Sequence, residues 1–321
     1  MFFSSETGDE IMNGSDQHSD TKILPSWKEG SFREAVLSYT QAVTDEKNGD
    51  FIPVEDRVAS FDMDGTIFCE KPLWLEMAIA RERLAEIASQ SEIMRDLQPF
   101  KAAVEGDDDF LRANFILTQT TAFRGCTQDY YYSHVQDFMK NRANSEARHE
   151  DGSPVLFKNC FFKPMIELIQ YLESLDFKVY IVSGSEQCMV RSACRFRLGL
   201  DFANMIGSLL SLTVEYEKDK VSFIREGSYL APADVGDGKP ESLHYRIGKT
   251  PVFSFGNTRD DIGMLTMASS SPYRSMQCLL VHDDGEREFN YVDDFLKDYA
   301  EARGWHNVSM KDNFAEIFEN L

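Results

Sequence analysis

The sequence predicts an α/β protein with a mainly parallel sheet flanked by helices and a helical cap inserted after the first strand. Three observations predict it. Short β-branched and aromatic runs alternate with segments of helical period, the signature of strands joined by crossover helices. Roughly a hundred residues after the first such run carry helical period and no convincing strand. The apolar runs at 58–61, 178–182 and 251–255 each lead into a polar loop, at the edge where open α/β sheets bind their ligands.

Taken in order, residues 1–24 are rich in Ser, Asp, Glu, Gly and Asn without apolar period and read as a disordered tail. Order begins near Leu24-Pro25-Ser26-Trp27, followed by a helix over 31–43 and a first strand over 57–61. The cap is expected over 71–154, with helices at 73–88, 109–118 and 127–140. Residues 25–70 and 155–321 form the α/β core, with further strands at 178–182, 251–255 and 276–281. Core helices are expected at 164–175, 186–198, 240–247, 260–267 and 289–303. A hairpin is predicted where 208–216 and 221–224 flank Glu217-Lys218-Asp219-Lys220.

Composition excludes several classes. Fifty-four acidic against thirty-three basic residues give a formal charge of −21, which repels nucleic acid and anionic membranes. No segment is long enough to span a membrane. Six cysteines without a C-x-x-C pair indicate neither a zinc site nor a disulfide framework. The chain as written reads as cytoplasmic, and as extracytoplasmic if a leader is missing.

The chemistry concentrates at the strand ends. Asp62-Met63-Asp64-Gly65-Thr66 follows the run Val58-Ala59-Ser60-Phe61 and puts two carboxylates at the edge of the sheet, a setting for phosphoryl chemistry. A calcium loop counted from Asp62 fails, because its sixth and twelfth positions hold Ile67 and Leu73 instead of Gly and Glu. Ser183-Gly184-Ser185 precedes a helix, so its hydroxyls and the first helix amides either clamp a phosphate or simply cap the helix. Lys239, before Pro240, stands at the same edge. Lys249 lies at the start of the strand over 251–255, roughly 16 Å away along five strand residues. Asn257, Asp260 and Asp261, in the loop after Phe255, are available to hold a cation.

These four segments, in this order, resemble the haloacid dehalogenase superfamily, and the cap after the first motif resembles that of its phosphoserine phosphatase-like branch. Glu70-Lys71-Pro72 is similar to a segment of bacterial hydrolases of that branch with unassigned substrates. The resemblance covers about residues 25–321 and implies a Rossmann-like core. It further implies that Asp62 is a nucleophile forming an aspartyl-phosphate and that Asp64 is the general acid and base. Ser183, Gly184 and Lys239 then hold the phosphoryl group, with Mg²⁺ on Asp62, Asp64, Asp261 and Asn257. Asn257 departs from the family's more frequent Asp. The implied activity is hydrolysis of a small phosphorylated metabolite. Alternatives are a phosphotransferase with the same site, or a weakly active protein that binds phosphoryl ligands. Glu70 and Arg124 are candidates to hold the ammonium and carboxylate of a phosphoserine-like substrate.

Overall fold

The structure, a computed structural model, describes residues 23–195 and 197–319. The expected tail lies outside the described residues up to position 22. Leu24, the last residue of the expected tail and the point where order was expected to begin, belongs to the core, and the Trp27 indole donates to the Pro164 carbonyl at 2.8 Å.

Helix α1 (Ser31–Thr44) leads to strand β1 (Val58–Phe61). An insertion of six helices follows: α2 (Leu75–Ser89), α3 (Glu92–Arg95), α4 (Phe100–Glu105), α5 (Asp108–Ala113), α6 (Phe115–Phe123) and α7 (Gln128–Asn141). The helix expected over 109–118 is broken at Asn114, the C-cap of α5, whose amide side chain donates to the Phe110 carbonyl. The insertion ends in an antiparallel pair, β2 (Ala143–Arg148) and β3 (Pro154–Leu156), where no strand was expected. Their burial alternates poorly and their composition is polar, so they carry little strand signal.

The core resumes with α8 (Lys163–Ser174), β4 (Lys178–Glu186), α9 (Gln187–Cys194) and β5 (Met205–Ser208). The expected hairpin is present as β6 (Leu210–Glu217) paired antiparallel with β7 (Lys220–Tyr229). Then come α10 (Gly238–Ile247), β8 (Phe253–Gly256), α11 (Ile262–Ser269), β9 (Met276–Val281), α12 (Asp294–Glu301), β10 (His306–Ser309) and α13 (Met310–Asn313).

Six strands form one parallel sheet in the order β10-β9-β8-β1-β4-β5. Strand alternation sorts its two faces. Val58, Tyr180, Val182 and Ile206 pack on Leu243 of α10 and Met264 of α11, while Ala59, Phe61, Val179 and Ile181 join the larger cluster with Val36, Tyr39, Leu168 and Ile169. Each such side chain removed from water contributes about 1.5–3 kcal/mol, and all four residues of β1 are buried, which fixes its register. Because β1 lies between β4 and β8, the carboxyl ends of three adjacent strands open on one crevice.

Candidate active site

The site is built outward from the end of β1. The Asp62 amide donates to the Phe255 carbonyl at 2.9 Å, extending the ladder one residue past the strand. The chain then turns tightly, with the Met63 carbonyl accepting from the amides of Thr66, Ile67 and Phe68. Gly65 has φ +80° and sits so close to Asn257 that a Cβ would fall 1.9 Å from its side-chain nitrogen.

Asp62 and Asp261 converge on one ammonium. Lys239, in the first turn of α10, places Nζ 2.5 Å from Asp62 Oδ1 and 2.6 Å from Asp261 Oδ1, all three side chains being buried. The other Asp261 oxygen accepts from the amides of Asn257 and Thr258, both at 2.9 Å, so the loop after β8 orients it. Burial draws the Lys239 pKa down, but Asp261 and Asp62 outweigh it and hold it above the ordinary lysine value. Burial, with Asp261 next, pushes Asp62 above the usual carboxylate range against the pull of Lys239. Lys249 pairs with Asp56 before β1, at the opposite end of the sheet.

Asp64 faces β4. Its Oδ2 accepts from Ser185 Oγ at 2.9 Å, with Ser183 Oγ at 3.5 Å, and its buried Oδ1 has no hydrogen-bond partner. Burial raises its pKa to about 6, although Ser185 works in the other direction. The first turn of α9 differs from expectation. Strand β4 runs through Glu186, whose carboxylate caps the Met189 amide, while the Glu186 amide donates to Glu76 of α2. Protein carboxylates therefore hold both groups, and Ser183 and Ser185 serve the cleft without capping the helix.

A family model described as haloacid dehalogenase-like hydrolase matches residues 59–266, well over half of the chain. The protein belongs to this family. Among solved structures, a conserved protein of unknown function from Anaerococcus prevotii aligns at 13% identity and TM-score 0.56, over 89% of this chain and 94% of that one. At this identity the match establishes the shared fold. A protein of unknown function from Bordetella pertussis aligns at 14% identity and TM-score 0.49, over 78% and 97% of the two chains. A phosphoserine phosphohydrolase-like protein from Francisella tularensis aligns at 14% and 0.40, over 77% and 99%. No curated protein matches the sequence.

In this haloacid dehalogenase-like hydrolase the turn after β1 is held from behind by residues that motif reading missed. His282, the first residue after β9, places Nε2 2.7 Å from the Gly65 carbonyl and Nδ1 3.1 Å from Glu288. Tyr291 stacks on its ring at 4.2 Å, and Cys69 donates to the other Glu288 oxygen at 3.2 Å. A histidine directly after a buried strand was the available signal. Asp284, in the loop after β9, is buried and bonded to Arg287, while Asp283 accepts from Ser309.

Over the carboxylates lies a cleft of about 280 Å³, lined by Asp62, Asp64, Ser183, Gly184, Ser185 and Lys239 below and by Glu70, Trp74, Arg112, Phe115, Val235, Thr258 and Asp260 around it. Arg124 does not reach it. That side chain is exposed beside Gly227 of β7, and Arg112 is the arginine the insertion brings to the cleft. Asn257, expected among the ligands of a cation, directs its side chain elsewhere, with Oδ1 accepting from Thr66 and the amide nitrogen donating to Glu70. Only the nitrogen can face the Glu70 carboxylate, so this orientation follows from the partner's chemistry.

Proposed function

We propose that the protein is a phosphomonoesterase that works through an aspartyl-phosphate on Asp62. The observation that carries this reading is the convergence, at one sheet edge, of a buried Asp62–Lys239–Asp261 cluster with a second carboxylate held by serines. Asp62 attacks phosphorus as the ester oxygen leaves, and Asp64 gives that oxygen its proton. A carboxyl raised to about 6 is suited to that donation near neutrality. Water then attacks phosphorus, Asp64 takes its proton, and the bond to Asp62 breaks to release inorganic phosphate. Ser183, the Gly184 backbone and Lys239 hold the phosphoryl oxygens.

The donor set fits a hard cation. The buried carboxylates of Asp62, Glu70 and Asp261, with the half-buried Asp64, outnumber the buried Lys239 ammonium, and Asp64 Oδ1 is a buried acceptor without a partner. Asp62, Asp261 and the Asp64 backbone carbonyl would hold Mg²⁺, with Asn257 shaping the loop. Among the described residues no three His, Cys, Asp or Glu side chains form a metal cluster, so the proposed set draws on a backbone oxygen and the substrate as well. When bound, the cation supplies electrostatic stabilisation of the phosphoryl charge. The insertion, residues 71–154, acts as the cap that shields the cleft.

Phosphate release from a panel of small monoesters tests the reading. We expect release that stops with a chelator, returns with Mg²⁺ and is absent in Asp62→Asn. Full turnover by Asp62→Asn would overturn it.

A further inference from the structure

Resting on that reading, we propose that the alcohol portion of the substrate is a compact apolar or aromatic group and not an amino acid. Three observations converge. Glu70, the carboxylate that the sequence offered to a substrate ammonium, is buried with Oε2 accepting from the Trp74 indole at 2.9 Å and Oε1 from the Asn257 amide at 3.3 Å, while Asp260, which also lines the cleft, is exposed to water in the loop after β8. Glu70 acts as a bracket between the insertion and the loop after β8. An ammonium placed there would compete with two existing donors in a site that buries both.

The same bracket shapes the wall. The indole N–H is the one polar atom of Trp74, and Glu70 takes it, so the ring presents only apolar surface to the cleft. Phe115 meets Trp74 edge-on at 6.4 Å between centroids and is backed by Tyr229 at 6.2 Å, which fixes both rings. Across the cleft stands Val235, whose methyl lies 2.6 Å from where a Gly184 Cβ would be, directly above the serine loop. A ligand whose phosphate sits on Lys239 and the serines therefore extends between an aromatic wall and a valine.

Among the described residues that line the cleft, none builds a dedicated carboxylate site beside this wall. Arg112 has one nitrogen 2.7 Å from Asp109 and another 3.5 Å from the Pro72 carbonyl, and its side chain is 36% exposed. Such a partly solvated cation at the rim favours entry of a phosphate dianion into a protein of charge −21. It does not build a bidentate site for a substrate carboxylate.

The test compares benzyl phosphate with O-phospho-L-serine, two esters of similarly unactivated alcohols, in wild type and Phe115→Ala. In parallel, calorimetry measures binding of benzylphosphonate and the phosphonate isostere of phosphoserine, which need no turnover. We expect benzyl phosphate to be preferred in kcat/KM by at least about tenfold and the preference to shrink about tenfold in Phe115→Ala, the range that apolar contacts supply. The phosphonates should follow the same order. A preference for the serine compound, or one that Phe115→Ala leaves untouched, overturns the inference while leaving the phosphatase reading intact. If neither ester is hydrolysed by folded protein, the phosphatase reading is judged on the wider ester panel, and equal binding of the two phosphonates, or tighter binding of the serine isostere, overturns this inference.

Discussion

At the scale of single residues, His282 is the side chain whose removal separates placement from chemistry. The Gly65 carbonyl it bonds belongs to the residue next to Asp64, and the contact between them is buried. His282→Ala leaves a buried acceptor unsatisfied, which costs about 1–3 kcal/mol, and frees the turn that aims Asp62 and Asp64. We expect kcat to fall about 10- to 100-fold with KM nearly unchanged, since the variant leaves in place Lys239 and Ser183, the residues proposed to hold the phosphate. Steady-state kinetics with a parallel thermal melt checks this, and partial recovery in His282→Gln would separate a lost donor from lost packing. Asp62, Asp64 and Lys239 were legible in the sequence because each stands at a strand end or a Pro-marked helix start, where backbone geometry dictates direction. Arg112 and Trp74 were not. Which face of a helical insertion turns toward the core depends on tertiary packing, so nothing local separates Arg112 from Arg124.

At the scale of elements, one buried network joins the insertion, the hairpin and the strand that carries the serines. Arg225 of β7 contacts Glu186 at 3.1 Å and Gln128 of α7 at 3.0 Å, and its guanidinium lies 3.7 Å from the centre of the Tyr131 ring. Glu76 of α2 receives the Tyr229 hydroxyl at 2.9 Å and the Glu186 amide. Burial, then Glu186, raises the Glu76 pKa from 4.5 to about 7. In the folded protein Glu76 thus keeps its proton to about pH 7, while the unfolded chain loses it near 4.5. The folded state binds more protons in that window, so this group's contribution to stability is full below 4.5 and is lost as pH rises through about 7. We expect urea midpoints to show that decline and Glu76→Gln to flatten it. An unchanged slope in the variant would contradict the assignment. The three apolar strands at 178–182, 251–255 and 276–281 were legible because burial on both faces demands continuous apolar runs. Strands β5 and β10 escaped because each has four residues, Met-Ile-Gly-Ser and His-Asn-Val-Ser, at the two edges of the sheet.

At the scale of the whole molecule, a strongly acidic chain has too little positive charge of its own at the crevice. Lys239 sits between two carboxylates and Arg112 stands at the rim, so under the proposed reading a bound cation would supply the field that a phosphate dianion needs in a chain of charge −21. The crevice itself could be read from the order of the motifs, since a parallel sheet must bring successive strand ends to one edge. The aromatic roof could not, because it depends on how the insertion docks. The central claim, a covalent phosphoryl group on Asp62, is tested most directly by trapping it. The enzyme is quenched during turnover of a hydrolysed ester, reduced with borohydride and digested, and the peptide carrying residue 62 is examined by mass spectrometry. The account predicts conversion of Asp62, and no other acid, to homoserine, dependent on substrate. Sustained turnover with Asp62 unmodified, or modification at another carboxylate, would contradict it.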